Sequence, residues 1–279
     1  MPGTTRVRQR RASRATHSAT IVNMVSSLRA MSTAVVGPVV AFTLIAAGWW
    51  LFEWLADPNP LILPAPGAVW SATWENFGPL MSAVGVTLWA ALWGFAVSVV
   101  AGLVLAIVIV RFANFAKILW PALTVLNAAP KVVAAPILVI WFGIGFQSKV
   151  SLAFLLGFFP VVINCVRGLS EVSPELLEYW RLMRATPRRI LWKVRLPHCL
   201  PFLFDGCLIA LPIAMVGAVI AEFVSGAGGI GNQIIIAYSQ FNTPLVFAAT
   251  ILISVVSTFV FLLLRSLEPW LIPWGVKGR

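Results

Sequence analysis

Six long apolar runs, at residues 35–55, 82–110, 118–142, 150–166, 202–224 and 245–264, leave this chain few folds to choose from. About 20 apolar residues in a helix cross the hydrocarbon core of a bilayer. A backbone in lipid must satisfy its own hydrogen bonds, which for single runs of this length means helices. The expectation is an all-α polytopic membrane protein with about six transmembrane helices. Of the 279 residues 60% are apolar and only 10% are charged, so no separate soluble domain fits beside them. Residues 1–31 carry six Arg and no acidic residue and read as a disordered cytoplasmic tail. Residues 32–279 form the transmembrane domain. A cleaved signal peptide is disfavoured, because the first apolar run is as long as a span and has no small-residue cleavage site behind it.

The formal net charge of +11 could suggest nucleic acid, but its placement follows the membrane instead. Lys and Arg collect in cytoplasmic loops. With the tail inside, all but Lys131 and Lys149 of the 20 basic residues fall on one side. The opposite loops hold Asp57 and Glu75, or no charge at all in residues 225–244. Both termini are therefore expected in the cytoplasm, with a lipid bilayer and no nucleic acid as partner. Cys165, Cys199 and Cys207 have no metal-ligand spacing and read as apolar or interfacial residues.

The one long polar run in the interior is "SPELLEYWRLMRATPRRILWKVRLP", residues 173–197, within a stretch holding seven basic residues from Arg167 to Arg195. Ser173 is a good N-cap, Pro174 suits the first helical position and Glu175 favours the dipole. Thr186-Pro187 repeats the signal, so two short helices are expected between spans four and five, in a loop over 167–200. Such a pair could lie in the headgroup layer with its basic face on anionic lipid. It could also dock on a soluble partner through Trp180, Leu182 or Met183, as amphipathic helices do in grooves. A DNA-reading helix-turn-helix fits the charge but not a segment tethered to spans at both ends.

The same stretch resembles the cytoplasmic signature of the permease subunits of ATP-binding-cassette importers of the nitrate, sulfonate and taurine type. That signature is Glu-Ala-Ala, three residues, Gly, nine residues, an aliphatic residue, one residue and Leu-Pro. Here Glu178-Tyr179-Trp180, Arg184, Val194 and Leu196-Pro197 keep the spacing without a gap. "ILPAP" (62–66), "APKVVAAPILVIWFGIG" (129–145) and "VIAEFVSGAGGIG" (219–231) are similar to the family's outer loop, third span and end of the fifth span. The resemblance implies the type I importer permease fold, in which residues 173–197 are a coupling helix-turn-helix. It also implies a homodimer, two ATPase subunits, an extracytoplasmic substrate-binding protein and a bacterial plasma (inner) membrane. ATPase coupling is then expected of Glu178, Trp180, Arg181, Met183, Arg184, Ala185 and Thr186.

Tyr179-Trp180 replaces the family's Ala-Ala, and Arg184 replaces its Gly. Because Ala185-Thr186-Pro187 already supplies a stop and a new cap, Arg184 is expected to be helical and to meet an acidic residue of the ATPase.

No catalytic constellation is legible, and no G-x-x-x-x-G-K-[ST] phosphate loop occurs, so the chain is expected to be no enzyme and to carry no cofactor. ATP and magnesium would bind the partner ATPase. "GAGGIG" (226–231) has dinucleotide-loop spacing but no preceding strand, and reads as a flexible outer turn. Ionisable groups inside spans are costly and suspect as functional. Asn127 and Lys131, beside Pro130 and Pro136 that should bend or break the third span, are candidates for a translocation pathway or gate, as is Glu222. The substrate classes the resemblance admits are nitrate, sulfonate or taurine, bicarbonate and vitamin precursors. A secondary transporter or channel without an ATPase is the alternative, and would have no use for the two capped loop helices.

Overall fold

A computed structural model describes residues 43–272 together with Val40, and all described elements are helices and turns. The basic tail and the first part of the span expected at 35–55 lie outside the described residues. The chain divides into two units, residues 1–66 and 67–279. In the first, α1 (Thr43–Ala56) is apolar but shorter than a full span. It exposes Leu44, Ile45, Trp50, Phe52 and Trp54, a surface suited to lipid.

From the boundary at Pro66 onward the chain forms α2 (Pro66–Glu75), α3 (Phe77–Arg111), α4 (Ala113–Ala128), α5 (Ala134–Phe142), α6 (Phe146–Ser170), α7 (Pro174–Leu182), α8 (Pro187–Ile190), α9 (Leu196–Ser225), α10 (Ile230–Ser239), α11 (Thr243–Ser266) and α12 (Glu268–Leu271). Four stretches among the described residues are long and apolar enough to cross a membrane: α3, α6, α8 running into α9, and α11 running into α12. A fifth exists if α4 and α5 count as one.

The core is the mutual packing of α3, α6 and α9, and small residues decide it. Lipid tails are as apolar as Leu, so helices in a membrane associate through close backbone approach and hydrogen bonds rather than a hydrophobic drive. Along α3 the buried face repeats Thr87, Ala90, Gly94, Ser98, Gly102 and Ala106. A Cβ added at Gly217 of α9 would lie 2.9 Å from the Ala153 Cα of α6, so the two backbones touch there. Across the α3–α6 contact the Ser98 hydroxyl is shared between Gly94 O (2.8 Å) and Phe154 O (3.0 Å). The outward side chains of α3, including Trp89, Trp93 and Val104, stay exposed, an apolar surface suited to lipid.

The third expected span is broken. Pro130 has no N–H to donate and disfavours a helical residue before it. α4 accordingly stops at Ala128, a 3₁₀ turn spans Lys131–Val133, and the two halves meet at 80°. α5 packs Ala135 against Leu152 and Ala221.

The second loop helix departs from expectation. α8 does not end before span five; it continues through a π-helical turn, Leu191–Arg195, straight into α9. Pro197 explains the widening, since in an α-helix its ring would strike the carbonyl of Lys193 and it offers that carbonyl no N–H. Only α7 is a free-standing loop helix.

Candidate functional site

α7 is held at both ends. Ser173 Oγ accepts the Leu176 N–H at 3.2 Å and Pro174 occupies the first turn. At the other end Arg184 has φ 52°, in the left-handed region. Ala185 N–H donates to Trp180 O (3.0 Å) and Arg184 N–H to Arg181 O (2.9 Å), the paired bonds of a Schellman turn. Arg184 is therefore not helical as the local sequence suggested. It stands where the related signature has Gly, because this turn needs a positive φ. Thr186 then caps α8, accepting the Arg189 N–H at 3.3 Å.

The turn costs an L-residue about 1 kcal/mol that glycine avoids. Arg184→Gly is expected to fold with unchanged topology and to raise the thermal midpoint in detergent, whereas Arg184→Val, β-branched at positive φ, lowers it. Equal midpoints in both variants would remove the strain argument.

Under the hairpin lies a small core of Val172, Ile190 and Val194, on which Leu177, Trp180 and Ala185 pack. Trp180 and Ala185, both half-buried, therefore help to anchor the hairpin from inside, and Thr186 serves as a cap while remaining exposed. What projects outward is Tyr179, Leu182 (77% exposed) and Met183 (66% exposed), beside exposed Glu178, Arg181 and Arg184. Arg195 Nη1 donates to Leu169 O (3.2 Å), and a ring nitrogen of His198 lies 2.8 Å from Gly168 O. The hairpin is thus bonded to the end of α6 and continuous with α9.

At the broken span, Lys131 Nζ donates to both Asn127 O (2.9 Å) and Asn127 Oδ1 (2.8 Å). It also lies 4.8 Å from the centre of the Phe159 ring, a cation–π contact. A cavity of about 140 Å³ opens beside these groups, lined by Trp120, Thr124, Asn127, Phe159 and Ile163 among others. The two residues singled out in the third span are therefore brought together, next to the intramembrane cavity.

Glu222 is elsewhere. It is 0% exposed, and its carboxylate sits 3.1 Å from Lys149 Nζ, itself 2% exposed. Thr87 Oγ1 donates to Glu222 (2.9 Å) and accepts the Ile230 N–H (2.9 Å). Gly231 N–H donates to Glu222 Oε2 (2.8 Å), and Lys149 Nζ donates to Gly228 O (2.7 Å). The carboxylate thus caps α10, where an anion complements the N–H groups of a helix start. The glycine turn expected to be flexible is tied at Gly228, Ile230 and Gly231. Its glycines are required: Gly229 has φ 95°, and a Cβ there would collide with the Glu222 carboxylate. This network joins α3, α6, α9 and α10, and it encloses Glu222. Lys149 and Thr87 were not anticipated as its partners. The available signal was that Lys149 is the one cation among the outer loops, which a buried acid explains.

A bundle with a broken span beside an intramembrane cavity, and a stiff capped hairpin at its basic end, has the parts of a membrane permease. The chain belongs to the binding-protein-dependent transport system inner membrane components, whose family model matches residues 98–273. It is 33% identical over 252 residues to the riboflavin transport system permease protein RibX of Chloroflexus aurantiacus, covering 90% of this chain and 94% of that one. The formylaminopyrimidine transport permease protein ThiX of Halalkalibacterium halodurans is 29% identical, with 86% and 96% covered. The taurine transport system permease protein TauC of Escherichia coli is 28% identical, with 81% and 85% covered. Two solved structures share the fold. One is an amino acid ABC transporter, with TM-score 0.58, 17% identity and coverage of 71% and 95%. The other is the MetNI methionine ABC transporter in an inward-facing form, with TM-score 0.56, 20% identity and coverage of 72% and 96%. The chain is the non-catalytic, multi-pass permease subunit of an importer, which sets aside the secondary transporter or channel.

Proposed function

We propose that two copies of this chain form the translocation path of an ATP-driven importer, with both termini in the cytoplasm. Two ATPase subunits, which bind the ATP and magnesium, grip the two hairpins, and an extracytoplasmic binding protein delivers the substrate. The observation that carries this reading is the hairpin itself. Its exposed tip, Tyr179, Leu182 and Met183, offers a partner an apolar knob, while its inner face is bonded to α6 and continuous with α9. A push on Met183 therefore moves α6 and α9 as levers. α6 carries Phe159 of the cavity, and both helices enter the Lys149–Glu222 junction. Closure of the ATPase dimer drives the hairpins together, and the helices rearrange between two access states around the dimer axis.

The substrate is a small organic solute, and of the classes considered a heterocyclic vitamin or vitamin precursor fits best. Trp120 and Phe159 offer aromatic faces, and Thr124 and Asn127 offer polar groups at the cavity, with Lys131 bonded to Asn127 behind it. The names of the riboflavin and formylaminopyrimidine relatives support the same class. The test is a thermal-shift screen of the cognate binding protein, followed by ATP hydrolysis of the reconstituted permease–ATPase complex. Flavins or pyrimidines should stabilise the binding protein, and the loaded protein should stimulate hydrolysis. Stabilisation by taurine or nitrate alone would overturn the substrate class. Hydrolysis indifferent to the loaded binding protein would overturn the importer reading.

A further inference from the structure

A second cavity, of about 210 Å³, lies at the basic end of the bundle between the end of α3 and the hairpin. Three guanidinium groups reach it from three different elements: Arg111 from the last turn of α3, Arg181 from α7 and Arg195 from the π turn. No carboxylate lines it. Arg195 spends one nitrogen on Leu169 O. Among the described residues no salt bridge is formed by any of the three. The rest of the lining is largely apolar, with Val110, Leu177 and Leu191 forming a wall that begins where the 35-residue apolar helix α3 ends.

Like charges gathered around a cavity, without a counter-charge among the described residues, mark a site for an anion. Planar guanidinium forks match the oxygens of phosphate and carboxylate. The apolar wall continuous with a membrane-spanning helix gives such a ligand a second part. We propose that this cleft binds the phosphate group of an anionic phospholipid, with the start of its acyl region along Val110 and Leu191. Basic pockets between helices at a membrane face bind such head groups. Because Arg111 belongs to a span while Arg181 and Arg195 belong to the hairpin, the bound phosphate braces the lever against the bundle.

The full-length permease is reconstituted in nanodiscs of phosphatidylcholine containing phosphatidylglycerol. It is then extracted in detergent, and the retained lipid is counted by native mass spectrometry. Phosphatidylglycerol is expected to be retained in preference to phosphatidylcholine. Arg111→Gln and Arg181→Gln should each weaken retention about fivefold, the effect of one basic residue at an anionic surface. Arg111→Lys should keep most of it. Arg188→Gln and Arg189→Gln, exposed on the same hairpin but outside the cleft, should leave it unchanged. Equal losses in all the glutamine variants would mean diffuse surface charge and overturn the site, as would no loss in any. In a parallel arm, inorganic phosphate is added to delipidated protein and the thermal midpoint is read. Protection matching that by phosphatidylglycerol would assign the cleft to a soluble phosphate and overturn the lipid reading.

Discussion

Lys149→Met is expected to be the most damaging single substitution in the bundle. It leaves the Glu222 carboxylate, at 0% exposure, with only the neutral donors Thr87 and Gly231. Removing one partner of a buried ion pair costs about 3–5 kcal/mol, because the other charge stays desolvated. Against a total stability of about 5–15 kcal/mol, that loss is large. Lys149→Met combined with Glu222→Gln should recover most of it, since the amide keeps an acceptor for Gly231 and carries no charge. The chain supplies its own reporter in Cys165, Cys199 and Cys207, which are free and buried. A maleimide dye that fluoresces on reaching thiols during heating will read the midpoint. A steep fall for the single variant and a return toward the parent for the double is the expected pattern. A double variant no better than the single would show that the pair is not energetically coupled.

The apolar runs located the helices well in their middles and less well at their ends, for a physical reason. A charge ends an apolar run in sequence whether or not it is neutralised in space. The fourth run was therefore begun at residue 150, after Lys149, yet α6 starts at Phe146 and takes the lysine inside. Its acid, Glu222, lies on α9, and nothing local announces a pairing over that separation. The break at Pro130 was legible because proline acts through its own backbone. The π turn before Pro197 was not, because a helix can meet a proline by ending or by widening and the sequence reads the same. At Arg184 the local signals pointed to a helix, while the glycine of the related signature pointed to a left-handed turn, and the backbone follows the latter. The hairpin's exposed and buried faces were separable only in part. Trp180 reads from the sequence as a docking residue, and in the structure it is half-buried, with part of its surface packed on the small core of Val172, Ile190 and Val194.

Charge reversal at the hairpin tip is expected to have the largest functional effect. Glu178 is exposed one helical turn before Leu182, on the face the proposed ATPase would cover. Once that face is covered, a carboxylate there is desolvated and must be paired. Truncating or reversing one partner of such a contact costs about 2–5 kcal/mol of association. Glu178→Arg should therefore insert and melt like the parent, since the residue packs on nothing in the small hairpin core, yet lose its ATPase on purification. Co-purification unchanged by the reversal would place the ATPase elsewhere. Met183→Cys gives the most direct measurement of the central claim, because the native cysteines are buried and a thiol at Met183 would be the accessible one. A short heterobifunctional reagent, with a maleimide that alkylates the Met183→Cys thiol and a photoreactive benzophenone that inserts into any neighbouring C–H bond, applied to the permease and ATPase co-expressed in membranes, should join position 183 to the ATPase. It should not join Tyr238→Cys, exposed on α10 beyond the far end of α9. Cross-linking at position 183 that changes on adding ATP is the predicted result; an assembled, ATP-hydrolysing complex with no cross-link at that position would contradict the account.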